Sequence, residues 1–178
     1  MQTLTLLESS KFQVTVKRLC YQLIENHNDF SQAVIVGLQP RGIYMADRIC
    51  SELSKILPKK TVPRGDLDIT FFRDDFRRRE APIMPSSTRM DFVIENKHVI
   101  LIDDVLWTGR TIRAGMDALQ AFGRPAGVEL LVLVDRRFSR QFPIEADYTG
   151  IRIDSIASEK VKVNWSETDG QDEVILIK

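Results

Sequence analysis

Two adjacent carboxylates followed by a threonine–glycine turn are the residues of this chain best suited to chemistry. Asp103 and Asp104 come directly after the apolar run Val99–Ile102. Neighbouring carboxylates repel each other, so a cation or sugar hydroxyls must satisfy them. The next residues supply two hydroxyls, a glycine and the start of a predicted helix, whose free N–H groups attract anions: Thr108, Gly109, Arg110 and Thr111. Carboxylates beside an anion cradle predict a site for a ribose phosphate.

A nucleotide triphosphatase is the main rival interpretation, because its Walker B strand also ends in acidic residues. Such an enzyme needs a glycine-rich loop that ends in Lys-Ser or Lys-Thr. The nearest stretch, Gly37–Gly42, is followed by Ile43 and Tyr44 instead. A capped helix after a strand would explain either half of the motif alone, since Asp and Thr are common helix caps. The two halves in this order favour the ribose-phosphate site.

Helical and strand patterns alternate along the chain that must position this motif. Phe12, Val16, Leu19 and Leu23 follow the spacing of one helix face, and Ala33–Val36 is typical of a buried strand. Further helices are predicted over 43–56 and 110–122, and further strands over 66–71, 99–102, 128–134, 148–151 and 174–177. This order predicts an α/β fold with a mostly parallel twisted sheet flanked by helices.

Length and charge predict a single domain over residues 1–178, with a long mobile surface loop at about 73–91. Lys plus Arg equals Asp plus Glu, so no global positive field attracts nucleic acid. We find no membrane span and expect a cytoplasmic protein. Cys20 and Cys50 are predicted to be buried, reduced thiols, and His27 and His98 to occupy surface or capping positions.

Val99–Thr111 closely resembles the signature of type I phosphoribosyltransferases, which bind phosphoribosyl pyrophosphate (PRPP). The resemblance implies their fold, with a small hood and a flexible lid loop. It assigns the ribose to Asp103 and Asp104, which in some members act through Mg²⁺. It assigns the 5′-phosphate to the turn that follows, Thr108, Gly109, Arg110 and Thr111.

Several other stretches resemble the PyrR family of these enzymes. They include Gly37–Tyr44, Asp66–Asp75, Pro143–Tyr148 and Ser158–Val161. The resemblance implies a uracil phosphoribosyltransferase that converts uracil and PRPP to UMP and pyrophosphate. Its implied contacts fall in three groups: Gln39, Pro40, Arg41 and Gly42 for pyrophosphate; Arg73, Arg77, Arg78 and Arg79 in the lid; and Asp135, Arg136 and Arg137 for uracil.

Trp107 favours a pyrimidine substrate. Purine enzymes of the superfamily often carry an acid near this position, where it serves the purine imidazole, and an indole cannot exchange a proton in that way. No residue is assigned as a catalytic acid or base.

The family also implies binding to the mRNA leader of pyrimidine operons and self-association into dimers or larger assemblies. Regulatory members read V-D-R-G-H-R-E-L-P-I, whereas Val134–Ile144 is one residue longer and lacks the histidine. We therefore expect catalysis to be retained and leave RNA regulation open. Two alternatives remain: an RNA-binding attenuator whose PRPP site only senses nucleotides, and a phosphoribosyltransferase for another base.

Overall fold

The computed structural model of this chain describes residues 2–74 and 85–178. The predicted lid arginines Arg77, Arg78 and Arg79 lie outside the described residues. Four helices are described: α1 (Ser9–His27), α2 (Gly42–Ile56), α3 (Arg110–Leu119) and α4 (Ser166–Asp169). Eight strands accompany them: β1 (Thr3–Leu7), β2 (Ala33–Leu38), β3 (Arg64–Leu67), β4 (His98–Leu106), β5 (Gly127–Arg137), β6 (Tyr148–Asp154), β7 (Lys160–Asn164) and β8 (Glu173–Ile177).

Five strands form a parallel sheet in the order β3-β2-β4-β5-β6. Its central strands are buried on both faces, which explains their continuous apolar runs. In β4, Ile100 and Ile102 pack with α1 and α2, while Val99 and Leu101 pack with α3 on the opposite face. The predicted α/β architecture with a mostly parallel sheet is therefore confirmed.

A small antiparallel sheet in the order β1-β8-β7, together with α4, forms the hood. Trp165 lies between β7 and α4 and is fully buried. Its ring packs edge-on against Phe12 of α1, with 5.5 Å between ring centroids, and lies 5.7 Å from the ring of Tyr44 in α2. The hood thus shares the core of the larger sheet.

The predicted strand over 66–71 is wrong beyond Leu67. The Asp68 carboxylate accepts hydrogen bonds from the backbone N–H of Thr70 (3.1 Å) and from its hydroxyl (2.6 Å). Such local bonds compete with strand pairing, and the chain makes a 3₁₀ turn over Thr70–Phe72. Phe71 is consequently exposed rather than packed in the sheet.

His27, predicted to occupy a surface or capping position, ends α1 but has a largely buried side chain. Its Nε2 lies 2.8 Å from a carboxylate oxygen of Glu129, and only 8% of the side chain is exposed. The hydroxyl of Tyr148 donates to the same carboxylate oxygen at 2.6 Å. This cluster joins the end of α1 to β5 and β6. His98 begins β4 with an exposed side chain, and both cysteines are free, Cys20 buried and Cys50 partly so.

Candidate active site

The two carboxylates of the predicted ribose site lie near the end of β4 and are both buried. The backbone N–H of Asp104 donates to Oδ1 of Asp103 at 2.9 Å. Burial, reinforced by the Asp104 charge, raises the pKa of Asp103 well above its usual range, while the charge of Arg73 acts in the opposite direction. Burial also raises the pKa of Asp104, and Arg41 opposes that rise. The pair is therefore costly to keep ionised in the ligand-free protein.

The turn after β4 has the geometry of an anion cradle. Gly109 has a φ of +88° and stands at the N-terminal cap of α3, a conformation that glycine adopts without steric cost. The first N–H groups of a helix lack intrahelical partners and can bind an anion. The Arg110 side chain is already engaged by Asp74 and by Gln141, the latter at 2.7 Å. Backbone N–H groups and threonine hydroxyls are therefore what this turn offers a phosphate.

The loop between β2 and α2 reaches the same acids. The Gln39–Pro40 bond is cis, and the Gln39 side-chain amide donates to the carbonyl of Ser87 at 2.8 Å. Arg41 Nε donates to Oδ2 of Asp104 at 3.2 Å. A Cβ atom on Gly42 would lie 2.4 Å from the carbonyl oxygen of Ile102, so only glycine permits this approach to β4.

A cleft of about 860 Å³ opens between these elements and the hood. Among the predicted site residues it is lined by Arg41, Arg73, Asp104, Thr108, Gly109, Arg110, Thr111 and Arg136. The other described site residues do not line it: Gln39, Pro40, Gly42, Asp103, Asp135 and Arg137. Asp103 and Gly42 instead lie directly behind the lining, since a Gly42 Cβ would be 3.0 Å from the Asp103 Cα.

The three residues expected near uracil separate in the structure. Arg136 is buried and donates to the Ser155 hydroxyl at 2.8 Å and to two backbone carbonyls of the 156–159 loop. Its guanidinium carbon lies 4.8 Å from the centroid of the Trp107 ring, and both residues line the cleft. Asp135 pairs with Arg140 and does not line the cleft, and Arg137 pairs with Asp154 at 2.6 Å.

The hood supplies cleft residues to which sequence reasoning gave no role. Lys160 and Lys162 of β7 line the cleft opposite the threonine–glycine turn, as does Glu159 before them. Lys160 is exposed, whereas the Lys162 amine lies 2.9 Å from Oδ1 of Asp169 in α4. No strand was predicted over Lys160–Asn164, although its alternating charged and apolar residues are typical of a half-buried strand.

The fold and the cleft define a phosphoribosyltransferase, and comparisons with known proteins agree. Residues 2–168 match the family described as the phosphoribosyl transferase domain. The fold is similar to the hypoxanthine phosphoribosyltransferase of Trypanosoma cruzi, with a TM-score of 0.73 at 15% identity, covering 98% of this chain and 95% of that one.

Proteins named bifunctional protein PyrR are much more similar in sequence. The one from Desulfosudis oleivorans is 43% identical over 170 residues, covering 96% of this chain and 93% of its own length. The one from Enterococcus faecalis is 46% identical over 169 residues, covering 93% of each. The chain belongs to the PyrR family.

Proposed function

We propose that this protein is a uracil phosphoribosyltransferase, which converts uracil and PRPP to UMP and pyrophosphate. The supporting observation is the convergence in one cleft of a buried acid, a helix N-terminus and an arginine from a separate loop. In the reaction a bond forms between uracil N1 and the anomeric carbon, and the bond from that carbon to pyrophosphate breaks. The electron pair of the broken bond leaves with pyrophosphate, and the N1 proton passes to solvent water.

Each part of the cleft has a role in this reaction. Asp104 accepts hydrogen bonds from the ribose hydroxyls, with Asp103 fixed behind it. The turn Thr108–Thr111 holds the 5′-phosphate through backbone N–H groups and hydroxyls. Arg41 balances the charge that develops on the departing pyrophosphate, as a guanidinium suits phosphate oxygens. The protein thus works by positioning and electrostatic stabilisation.

The acidic pair also fits Mg²⁺, which prefers oxygen ligands and is often held by one or two carboxylates together with substrate phosphates. The described residues contain no group of three or more potential metal ligands. Asp104, which lines the cleft, would therefore hold the ion only together with oxygens of PRPP, and Asp103 would support it from behind. When bound, Mg²⁺ supplies charge neutralisation for the pyrophosphate.

Uracil is the base that the cleft beside Trp107 favours. Arg136 is fixed by acceptors on one side and stacks on Trp107, so its remaining N–H groups can donate to a uracil carbonyl. Cytosine presents an amino donor where uracil has one of its carbonyls, so an N–H donor of Arg136 at that position would face a second donor. The Arg136 donor supports uracil over cytosine, and the indole of Trp107, which cannot exchange a proton with a purine imidazole, supports a pyrimidine over a purine.

A turnover assay with labelled uracil, PRPP and Mg²⁺ tests the proposal, run beside orotate, cytosine, hypoxanthine and adenine. We expect UMP formation with uracil and little product from the other bases. Turnover of a purine without UMP formation would overturn the assignment of the base. Failure of PRPP to raise the melting temperature would count against the site itself, since a ligand that binds only the native state stabilises it.

UMP-responsive binding to the mRNA leader of pyrimidine operons is the second function we propose. Phe138 is 80% exposed in the 137–141 loop, with the Arg137 guanidinium carbon 5.5 Å from its ring centroid. Exposed aromatic rings with neighbouring cations suit unpaired RNA bases. Titration of the protein with its own leader RNA, with and without UMP and at several salt concentrations, tests this function. A complete lack of UMP-dependent binding would exclude it.

The remaining features of the proposal concern the whole protein. We propose one domain over residues 1–178, since the hood and the larger sheet share a core, and a homo-oligomer that sedimentation can measure. A cytoplasmic location is consistent with the free thiols of Cys20 and Cys50. None of the helices in residues 2–74 and 85–178 is both long and apolar enough to cross a membrane.

A further inference from the structure

The hood holds the guanidinium of Arg41 from the side opposite Asp104. Arg41 Nη2 donates to the carbonyl oxygen of Val163, the fourth residue of β7, and lies 3.7 Å from Oδ2 of Asp169 in α4. Its Nε donates to Asp104 at the same time. Arg41 therefore bridges the acids of the large sheet and the hood.

Asp169 is a fixed anion at the centre of this contact. Its Oδ2 accepts the backbone N–H of Trp165 at 3.1 Å and the Thr168 hydroxyl at 2.8 Å. The hydrogen bond from Lys162 contributes most to a pKa of Asp169 well below its usual range, and these two bonds contribute next. The carboxylate is thus ionised and oriented throughout the working pH range.

One carboxylate contacts two cations of the cleft. The Lys162 amine lies 2.9 Å from Oδ1 of Asp169, and the Arg41 guanidinium lies near Oδ2. Arg41 and Lys162 both line the cleft, whereas Asp169 does not. Asp169 can therefore influence a ligand in the cleft only through the groups that it holds.

We propose that Asp169 is a positioning residue that holds Arg41 and Lys162 as a cationic pair for the pyrophosphate of PRPP. Lys162 then becomes a second pyrophosphate ligand, contributed by the hood. The proposal rests on the proposed function, because it takes Arg41 as a pyrophosphate ligand. When the ribose of PRPP engages Asp104, the Arg41–Asp104 contact weakens, and the hood contacts keep the guanidinium in place.

Asp169→Asn is the first test, since the amide oxygen still accepts the Trp165 N–H and preserves the local turn. We expect the KM for PRPP and the inhibition constant of inorganic pyrophosphate to rise about three- to tenfold, within the range of coupling between contacting groups. The KM for uracil and the Kd of UMP should stay within about twofold, because neither ligand carries pyrophosphate. Asp169→Glu, which keeps the charge, should recover part of the loss.

Lys162→Met should produce the same selective loss and provides the test if Asp169→Asn does not fold. The double variant should lose less than the product of the two single effects, because Asp169 acts partly through Lys162. Asp172→Asn is the matched control, because Asp172 is in the same turn but pairs with Arg48 at 2.9 Å. The Asp172→Asn variant should bind pyrophosphate with the affinity of the wild type.

Equal losses for UMP and pyrophosphate in Asp169→Asn, or no change for either, would overturn the inference. Independent, fully multiplicative effects of the two substitutions would also contradict it. Calorimetry with pyrophosphate alone separates this inference from the proposed function, since it requires no turnover. A wild type that binds pyrophosphate but makes no UMP would refute only the proposed activity.

Discussion

Asp104→Asn should separate activity from stability. The side chain is buried, and burial raises its pKa above the usual value. In the proposed site this carboxylate accepts hydrogen bonds from the ribose hydroxyls. An asparagine keeps the shape and one acceptor but removes the charge. We therefore expect a large loss of activity without a loss of folding.

The size of the activity loss follows from hydrogen-bond energies. A bond to a charged acceptor contributes about 1.5–3 kcal/mol and a neutral one about 0.5–1.5 kcal/mol. Each ribose hydroxyl bond then loses about 1–1.5 kcal/mol, and two bonds lose about 2–3 kcal/mol together. Because about 1.4 kcal/mol corresponds to a factor of ten in rate, kcat/KM for PRPP should fall roughly 30- to 150-fold.

The stability of the ligand-free protein, unlike its activity, should not fall in Asp104→Asn at neutral pH. A carboxyl whose pKa is raised by folding reduces the free energy of unfolding as pH rises above its unfolded pKa, about 3.9 for aspartate. Asp104→Asn removes this cost, so at pH 7 the variant should be at least as stable as the wild type. The advantage should vanish below about pH 4, where both proteins are neutral at this position.

The assay combines steady-state kinetics with thermal melting at pH 7 and pH 4, with and without PRPP. Asp117→Asn is the matched control, because Asp117 forms an exposed ion pair with Arg113 at 2.9 Å on α3. Exposed pairs of this kind contribute little, so the control should behave like the wild type. Wild-type kcat/KM in Asp104→Asn, or an intact melting shift with PRPP, would refute the ribose assignment.

Three further substitutions test other parts of the structure. Gly42→Ala should lower the free energy of unfolding by about 1–3 kcal/mol in urea, because its Cβ would lie 2.4 Å from a backbone oxygen of β4; wild-type stability would contradict the tight approach. Glu129→Gln should cost about 1 kcal/mol at pH 7. Burial raises the pKa of Glu129, but hydrogen bonds from Tyr148 and His27 outweigh it and lower the pKa. The loss of stability in Glu129→Gln should therefore fade as pH drops below about 4. A loss of stability that does not depend on pH would exclude a charge effect. Trp107→Ala should raise the KM for uracil about tenfold with little change for PRPP, since it removes the ring on which Arg136 stacks; equal effects on both substrates would argue against a base-specific role.

The parts of the site that the sequence predicted are those that one short segment builds. Asp103, Asp104 and the turn after them are close in sequence, and the apolar run before them required a buried strand. Gly109 was predicted from the turn, and its positive φ explains the residue type. Local spacing was sufficient here because one strand and one helix position the whole motif.

Contacts between distant segments could not be predicted in this way. Arg41 and Asp104 are 63 positions apart, and the hood contacts of Arg41 are further still. The strand expected over 66–71 failed because a single side chain, Asp68, bonds its own neighbours. The burial of the His27 side chain was not predicted because its partner, Glu129, lies 102 positions later in the chain, in β5. In each case a pairwise bond decided the outcome, and hydrophobic periodicity carries no information about such bonds.

The balance of charge shows why bulk composition said little about the ligand. The whole chain has equal numbers of acidic and basic residues. Its cleft, among the described residues, is lined by two carboxylates and six cations: Arg41, Arg73, Arg110, Arg136, Lys160 and Lys162. A cleft with such an excess of positive charge draws in a polyanion such as PRPP, even when the net charge of the chain is zero. Since the hood contributes two of these cations and holds Arg41 as well, the small sheet is as much a part of the anion site as the strand that carries the acids.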